Sequence, residues 1–188
     1  ESRVRYRCCS DVVLEHPLDG RQWTWLTPLD DGVGYLADIY VPHGESQPLC
    51  AHLGVDVSSS WKLYPRYGFV ADYDISKVAK VESEMEFLNR CHINGVQFYD
   101  WHNKHHWPWG GTRDELLATY KDVANRQVVT SVVKKYIDVQ HRYGMKAMFY
   151  NLCFGALEDG ADDGVNMTAW AIYKDKAHKE PDAHSGLP

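Results

Sequence analysis

Asn94-Gly95-Val96-Gln97-Phe98-Tyr99-Asp100-Trp101 is the stretch on which the fold reading turns. An Asn-Gly turn signal leads into a run rich in β-branched and aromatic side chains, the composition of a short strand. Working back from it, residues 76–90 predict a helix: Val78, Val81, Met85 and Leu88 share one stripe, while Lys77, Lys80 and Glu84 lie off it. Asp74 or Ser76 suits its N-cap. Tyr67-Gly68-Phe69-Val70-Ala71 precedes that helix as another short strand. Working forward, a long connection carries Trp107-Pro108-Trp109-Gly110-Gly111 at its tip. Residues 126–143 then predict a second helix, with Val129, Val132, Val133, Tyr136, Ile137 and Gln140 along its face. Gly144 fits the position just past its end, and Arg142 suits the last-turn dipole. Residues 145–152, Met-Lys-Ala-Met-Phe-Tyr-Asn-Leu, form a third strand.

The order strand–helix–strand–helix–strand predicts parallel strands with helices packed outside. Three strands leave open sheet and barrel both open. A complete (β/α)₈ barrel needs about 250 residues, so residues 58–188 hold about three of its eight units. The stretch after Gly155 is polar and rich in Gly and Asp, with one island at Trp170-Ala171-Ile172-Tyr173. It reads as an excursion loop with room for one short strand or helical turn.

The first 57 residues differ in character and read as β structure. Residues 4–8 alternate weakly, Val12-Val13-Leu14 is a short apolar run, and Trp23-Thr24-Trp25-Leu26 precedes Thr27-Pro28 and the turn signal Asp30-Asp31-Gly32. Residues 34–41 read as a strand ending at Pro42, and residues 51–57 as another. These are too few to close a β-sandwich, so a β domain here would have most of its strands on the N-terminal side. The change of character falls at Ser58-Ser59-Ser60.

Composition excludes several function classes. The 188 residues are 44% hydrophobic, 13% aromatic and 24% charged, which is globular. Twenty Lys and Arg against 26 Asp and Glu give a net charge of −6, a poor match for polyanions, so no nucleic-acid partner is expected. No run approaches eighteen apolar residues, so no membrane span is expected. Arg3, Arg5 and Arg7 leading into Cys8-Cys9 do not resemble a cleavable signal. The five cysteines, Cys8, Cys9, Cys50, Cys91 and Cys153, are odd in number, scattered and without a CxxC pair. Cys91 and Cys153 read as small core residues, and Cys8 or Cys9 pairing with Cys50 stays open.

Ten histidines are many, and three cluster in Trp101-His102-Asn103-Lys104-His105-His106-Trp107. One reading uses His102 and His106 with Asp100 as metal ligands. The other is a surface loop rich in hydrogen-bonding rings. Metal helices of the HExxH kind need a glutamate where Asn103 stands, and Pro108 with Gly110-Gly111 opposes a continuing helix. The loop is the preferred reading, so no metal and no cofactor is expected.

In parallel α/β folds ligands meet the C-terminal ends of the strands. Those ends are Asp72-Tyr73-Asp74, Tyr99-Asp100-Trp101-His102 and Tyr150-Asn151. Each mixes rings with hydrogen-bonding groups. Sugars suit such surfaces, because their C–H faces stack on rings while their hydroxyls need Asp, Asn or His. Core packing is the competing reading for any one of these rings. Gly110-Gly111-Thr112 lacks the strand–loop–helix setting of a phosphate loop, no GxSxG elbow is present, and Ser58-Ser59-Ser60 has no fixed triad partners. The candidate acids are Asp72, Asp74, Asp100, Glu158 and Asp175, but no pair of them is identified as the two carboxyls that flank a scissile glycosidic bond.

Three ordered stretches resemble glycoside hydrolase family 66, which holds dextranases and cycloisomaltooligosaccharide glucanotransferases. They are Ser59-Ser60-Trp61 with residues 64–69 (Tyr-Pro-Arg-Tyr-Gly-Phe), residues 87–102 with Lys104-His105-His106, and residues 144–152 with Gly155-Ala156. Trp170 with Tyr173-Lys174-Asp175 resembles the segment that follows, so the likeness covers roughly residues 55–178. The resemblance implies a (β/α)₈ barrel preceded by an immunoglobulin-like β domain, with residues 1–57 as the last strands of that domain and 58–188 as the first three βα units. It implies a secreted or cell-surface enzyme cleaving α-1,6-glucan by a retaining double displacement, or transferring within it to give cyclic products. The family's nucleophilic Asp and acid/base Glu belong to later strands, so no catalytic residue is expected in this chain. What carries over is the start of a substrate-binding mouth: Tyr99, Asp100, Trp101, Tyr150 and Asn151, with His102 and His106 nearby. A non-catalytic carbohydrate-binding protein on a partial barrel is the alternative. Either way, three βα units leave a strand edge and an apolar sheet face uncovered, so the chain is expected to be a fragment of a longer product and to associate when alone.

Overall fold

The computed structural model describes residues 1–152, 155–179 and 182. The chain divides into two units, Glu1–Pro65 and Arg66–Pro188. Among the described residues no helix is long and apolar enough to cross a membrane.

The first unit is one antiparallel sheet of four strands, β1 (Arg3–Cys8), β2 (Asp11–Pro17), β3 (Val33–Tyr40) and β4 (Leu49–Val57), in the order β2-β1-β3-β4. Register explains the sorting of side chains. Val4 faces Ile39 and Tyr6 faces Ala37, which puts the apolar set on one side. Leu18 and Trp25 pack over that side, with the Trp25 ring stacked 4.0 Å from Tyr6. Arg3, Arg5 and Arg7 project from the other side, where Glu15 takes Arg3 and Arg5 and Asp38 takes Arg7 at 2.7–2.9 Å. Within the region read as β structure, Trp23-Thr24-Trp25-Leu26 is not a strand: these residues form an irregular cover, held by Trp23 Nε1 donating to Tyr6 Oη at 2.6 Å. Burying rings against the sheet, not pairing with it, is what that aromatic run does.

The second unit is built on three parallel strands, β5 (Tyr67–Val70), β6 (Gly95–Phe98) and β9 (Lys146–Phe149), in the order β5-β6-β9. Helices α1 (Val81–Arg90) and α2 (Thr130–Arg142) supply the stripes that cover one face. Val70, Val96 and Phe98 from the sheet meet Val81, Met85, Val132 and Tyr136 in a dry core. Each such aliphatic side chain, fully buried, contributes about 1.5–3 kcal/mol.

Three sequence expectations need correction. The first helix is two pieces: a 3₁₀ turn over Ile75–Ala79, capped by the Asp74 carboxylate, and then α1. The second helix starts four residues late, because Gln127–Val129 is a strand, β8, paired antiparallel with β7 (Thr119–Lys121). Cys91 is exposed just past the end of α1, where Leu88 and Ile93 carry the apolar contact instead. Cys153 lies outside the described residues. The island near Trp170 forms a one-turn helix, α3 (Met167–Trp170), with Trp170 81% exposed.

Candidate functional site

Parallel register brings the three strand ends level. Val70 pairs with Phe98, and Phe98 with Phe149. Two residues beyond that rung stand Asp72, Asp100 and Asn151. Backbone bonds continue past the strands, from Tyr99 N to Val70 O (2.9 Å) and from Tyr150 N to Phe98 O (3.1 Å). One residue before the polar level, Tyr99 and Tyr150 bring their rings within 5.2 Å, and Phe69 extends the row at 6.3 Å from Tyr99. Tyr99 is 43% exposed, and Asn151 is exposed. Asp100 and Asn151 therefore share one end of one sheet, beside a row of rings.

The backbone carbonyls at this end are satisfied by aromatic donors, as buried carbonyls must be. Tyr73 Oη lies 2.7 Å from Val70 O and 3.1 Å from Tyr99 O. Trp101 Nε1 donates to Tyr150 O at 2.8 Å, and Tyr120 Oη to Trp101 O at 2.6 Å. Tyr73 is fully buried and is a core residue, and burial pushes its hydroxyl well up. Asp72 and Asp100 both take left-handed backbone, φ +66° and +48°, a conformation that Asp tolerates and that turns the chain sharply off the strand.

The seven residues singled out from sequence fare differently. Tyr99, Asp100, Trp101, Tyr150 and Asn151 gather at the strand ends. The Asp100 carboxylate accepts from Arg126 Nη2 at 2.9 Å through Oδ2. Its Oδ1 has no partner among the described residues. His102 is fully buried, with Nε2 3.0 Å from His105 Nδ1 and its own Nδ1 without a partner among the described residues. Burial, and secondarily the neighbouring ring, push the His102 imidazole below its ordinary value; burial does the same to His105. His106 turns the other way. Its Nδ1 accepts from Leu157 N at 3.2 Å and its Nε2 donates to Asp163 Oδ2 at 2.9 Å.

The metal reading of Asp100, His102 and His106 does not assemble, because each is engaged with a different partner. A different trio, His106, Asp159 and Asp163, does bring ligand-type atoms together. Lys104 already supplies the cation there, with Nζ 2.6 Å from a carboxylate oxygen of each Asp. These bonds push the Lys104 ammonium up and hold the Asp163 carboxyl below its usual range. The other candidate acids are structural or peripheral. Asp74 caps the 3₁₀ turn, Asp175 accepts from Ala177 N and Lys179 N, and Glu158 is exposed.

Sequence reading missed the hairpin β7–β8, whose Arg126 and Tyr120 bond to the strand-end segment. The Asp122 carboxylate organises its turn, accepting from Ala124 N and Arg126 N at 2.8 Å and from Arg126 Nε at 2.7 Å. Asn125, at φ +61°, completes it. Part of the signal was present: Asp and Asn favour turns, Asp122 by bonding the backbone two residues on and Asn125 by tolerating the left-handed region.

Comparison with known proteins bears on this arrangement. The sequence profile of Glycosyl hydrolase family 66 matches residues 5–188. A cycloisomaltooligosaccharide glucanotransferase of Niallia circulans is 31% identical over 160 residues, covering 83% of this chain. A dextranase of Streptococcus salivarius is 32% identical over 136 residues, covering 68% of this chain. The chain spans 16% of the length of each of these relatives. Among solved structures, a Paenibacillus sp. cycloisomaltooligosaccharide glucanotransferase complexed with cycloisomaltoheptaose matches with a TM-score of 0.66 and 29% identity, over 93% of this chain and 26% of that one. A profile match over nearly all residues, relatives above 30% identity and a shared mixed α/β fold agree: the chain belongs to glycosyl hydrolase family 66.

Proposed function

We propose that this chain is the opening part of an enzyme acting on α-1,6-glucan, and that the ends of β6 and β9 form the first wall of its substrate-binding mouth. Residues 1–57 serve as the closing strands of an immunoglobulin-like domain, and residues 58–188 as the first three βα units of a (β/α)₈ barrel. The observation that carries this reading is the level row of rings and polar groups, Phe69, Tyr99 and Tyr150 beside Asp100 and Asn151, on adjacent parallel strands. Glucose units offer an apolar C–H face for the rings and hydroxyls for the polar pair. Trp101 braces Tyr150, and His102 and His106 support the loop behind the row.

Chemistry on the glucan follows the retaining route: a carboxylate displaces the leaving oxygen, a second carboxyl protonates it, and then activates the acceptor. Neither carboxyl is assigned to this chain, whose contribution is binding and orientation. With water as acceptor the outcome is hydrolysis; with a hydroxyl of the same glucan it is transfer. The relatives named cycloisomaltooligosaccharide glucanotransferase favour keeping the transfer outcome alongside hydrolysis. Assay on dextran, with linear and cyclic products separated, distinguishes the two. Titration of the protein with linear isomaltooligosaccharides tests the mouth: saturable binding, weakened by Tyr99→Ala, is expected. Binding of maltooligosaccharides in preference to the α-1,6 series would overturn the proposal.

A further inference from the structure

Hairpin β7–β8 meets the strand-end segment in a regular way. Four consecutive residues are each held by one hairpin residue. Arg126 binds the Asp100 carboxylate, Tyr120 binds Trp101 O, Val123 N donates to His102 O at 3.1 Å, and Asn103 Nδ2 donates to Lys121 O at 2.7 Å. The hairpin is itself rigid. Asp122 is almost wholly buried and fixes both the backbone and the guanidinium of Arg126. Tyr120 is wedged against Gly110, where a Cβ would fall 2.3 Å from the ring, so no larger residue fits there. Arg126 thus spans two carboxylates, one buried and structural, the other at the mouth.

We infer that Arg126 is a positioning residue for substrate: it takes Oδ2 of Asp100 and leaves Oδ1 fixed as the acceptor for a glucose hydroxyl. This rests on the glucan reading and assigns Asp100 a role within it. A carboxylate tied through one oxygen to a guanidinium that is itself anchored on Asp122 presents its other oxygen in a preferred direction. In this reading Asp100 is a binding group. Without Arg126 the carboxylate, sitting on a left-handed backbone at a strand end, is free to rotate about χ1 and χ2. A loosely held polar group binds more weakly because it must be ordered on binding.

A double-mutant cycle read by isomaltoheptaose binding tests this. Asp100→Ala and Arg126→Ala are each expected to weaken binding about tenfold, the first by removing the acceptor and the second by releasing it, and the double variant no further, since both act on the same carboxylate. Arg126→Lys is expected to fall between, and millimolar ethylguanidinium to restore part of the loss in Arg126→Ala but none in Asp100→Ala. Tyr120→Phe, which removes only the bond to Trp101 O, is the second variant should Arg126→Ala fail to fold; a weakening smaller than that of Asp100→Ala is expected. Additive losses, or an Arg126→Ala protein that binds like the wild type, overturn the inference while leaving the glucan reading intact. A wild-type protein that binds no isomaltooligosaccharide overturns both. Unchanged binding in Asp100→Ala removes Asp100 from the mouth and the inference with it.

Discussion

Glu15 shows how one carboxylate can set the acid limit of a sheet. It sits between Arg3 and Arg5 on the charged face of the first unit. Hydrogen bonding from the Tyr40 hydroxyl, and then from the Arg5 and Arg3 guanidiniums, lowers it to about 2. Its folded value lies below its unfolded one, so its stabilising effect is complete above the ordinary carboxylate range and is lost as pH falls towards 2. Glu15→Gln should therefore flatten the fall in unfolding midpoint between about pH 4.5 and 2, while costing about 1 kcal/mol or less at pH 7, as expected of a partly exposed pair. Chemical denaturation at several pH values measures it; an unchanged acid limb would refute the assignment. At this scale the sequence was partly informative. Tyr99, Asp100, Tyr150 and Asn151 could be picked because strand ends are predictable places. Arg126 could not, since its role depends on a partner 26 residues away.

At the scale of elements, α1 and α2 end alike. Ile93 N donates to Leu88 O across the end of α1, and Met145 N to Gln140 O across the end of α2, with His92 at φ +59° and Gly144 at φ +72° in the left-handed position. Gly144 was legible because glycine is the usual residue there; His92 was not, because histidine pays for that conformation. His92→Gly should accordingly stabilise the second unit by about 1 kcal/mol, seen as a rise in unfolding midpoint. A lowered midpoint would mean that the His92 ring makes a contact worth more than the backbone relief. The misread start of α2 has a similar lesson. Val128 is buried in the same core as Val132 and Tyr136, so the apolar spacing runs on without a break across a strand–helix junction. Periodicity reports which side faces inward, and a strand that feeds a helix can keep that side.

For the whole molecule, the order of strands and helices was readable because each element carries its own apolar stripe. The pairing of β7 with β8 was not, because three-residue strands have too little pattern to see. The face of the parallel sheet opposite the helices, together with the edge of β5 that no strand pairs with among the described residues, exposes Tyr67 and Phe69 at 62% and 67%, and Phe87 at 64% lines the groove of about 450 Å³ beside that edge. An apolar face next to an unpaired edge favours self-association. Light scattering on these 188 residues alone should show concentration-dependent oligomers, and a hydrophobic dye should bind. A monodisperse monomer that binds no dye would contradict this.

The Lys104 ammonium has one more consequence. Asp159 and Asp163 belong to the segment after β9, and Lys104 to the loop after β6, so a single side chain closes a circuit of more than fifty residues. The clasp is electrostatic and partly wet, unlike the apolar seam behind it. Brine would loosen the strap without disturbing the core between the sheet and the helices, because mobile ions shield only what water reaches. The excursion after β9 is thus fastened by something that the surrounding medium can undo.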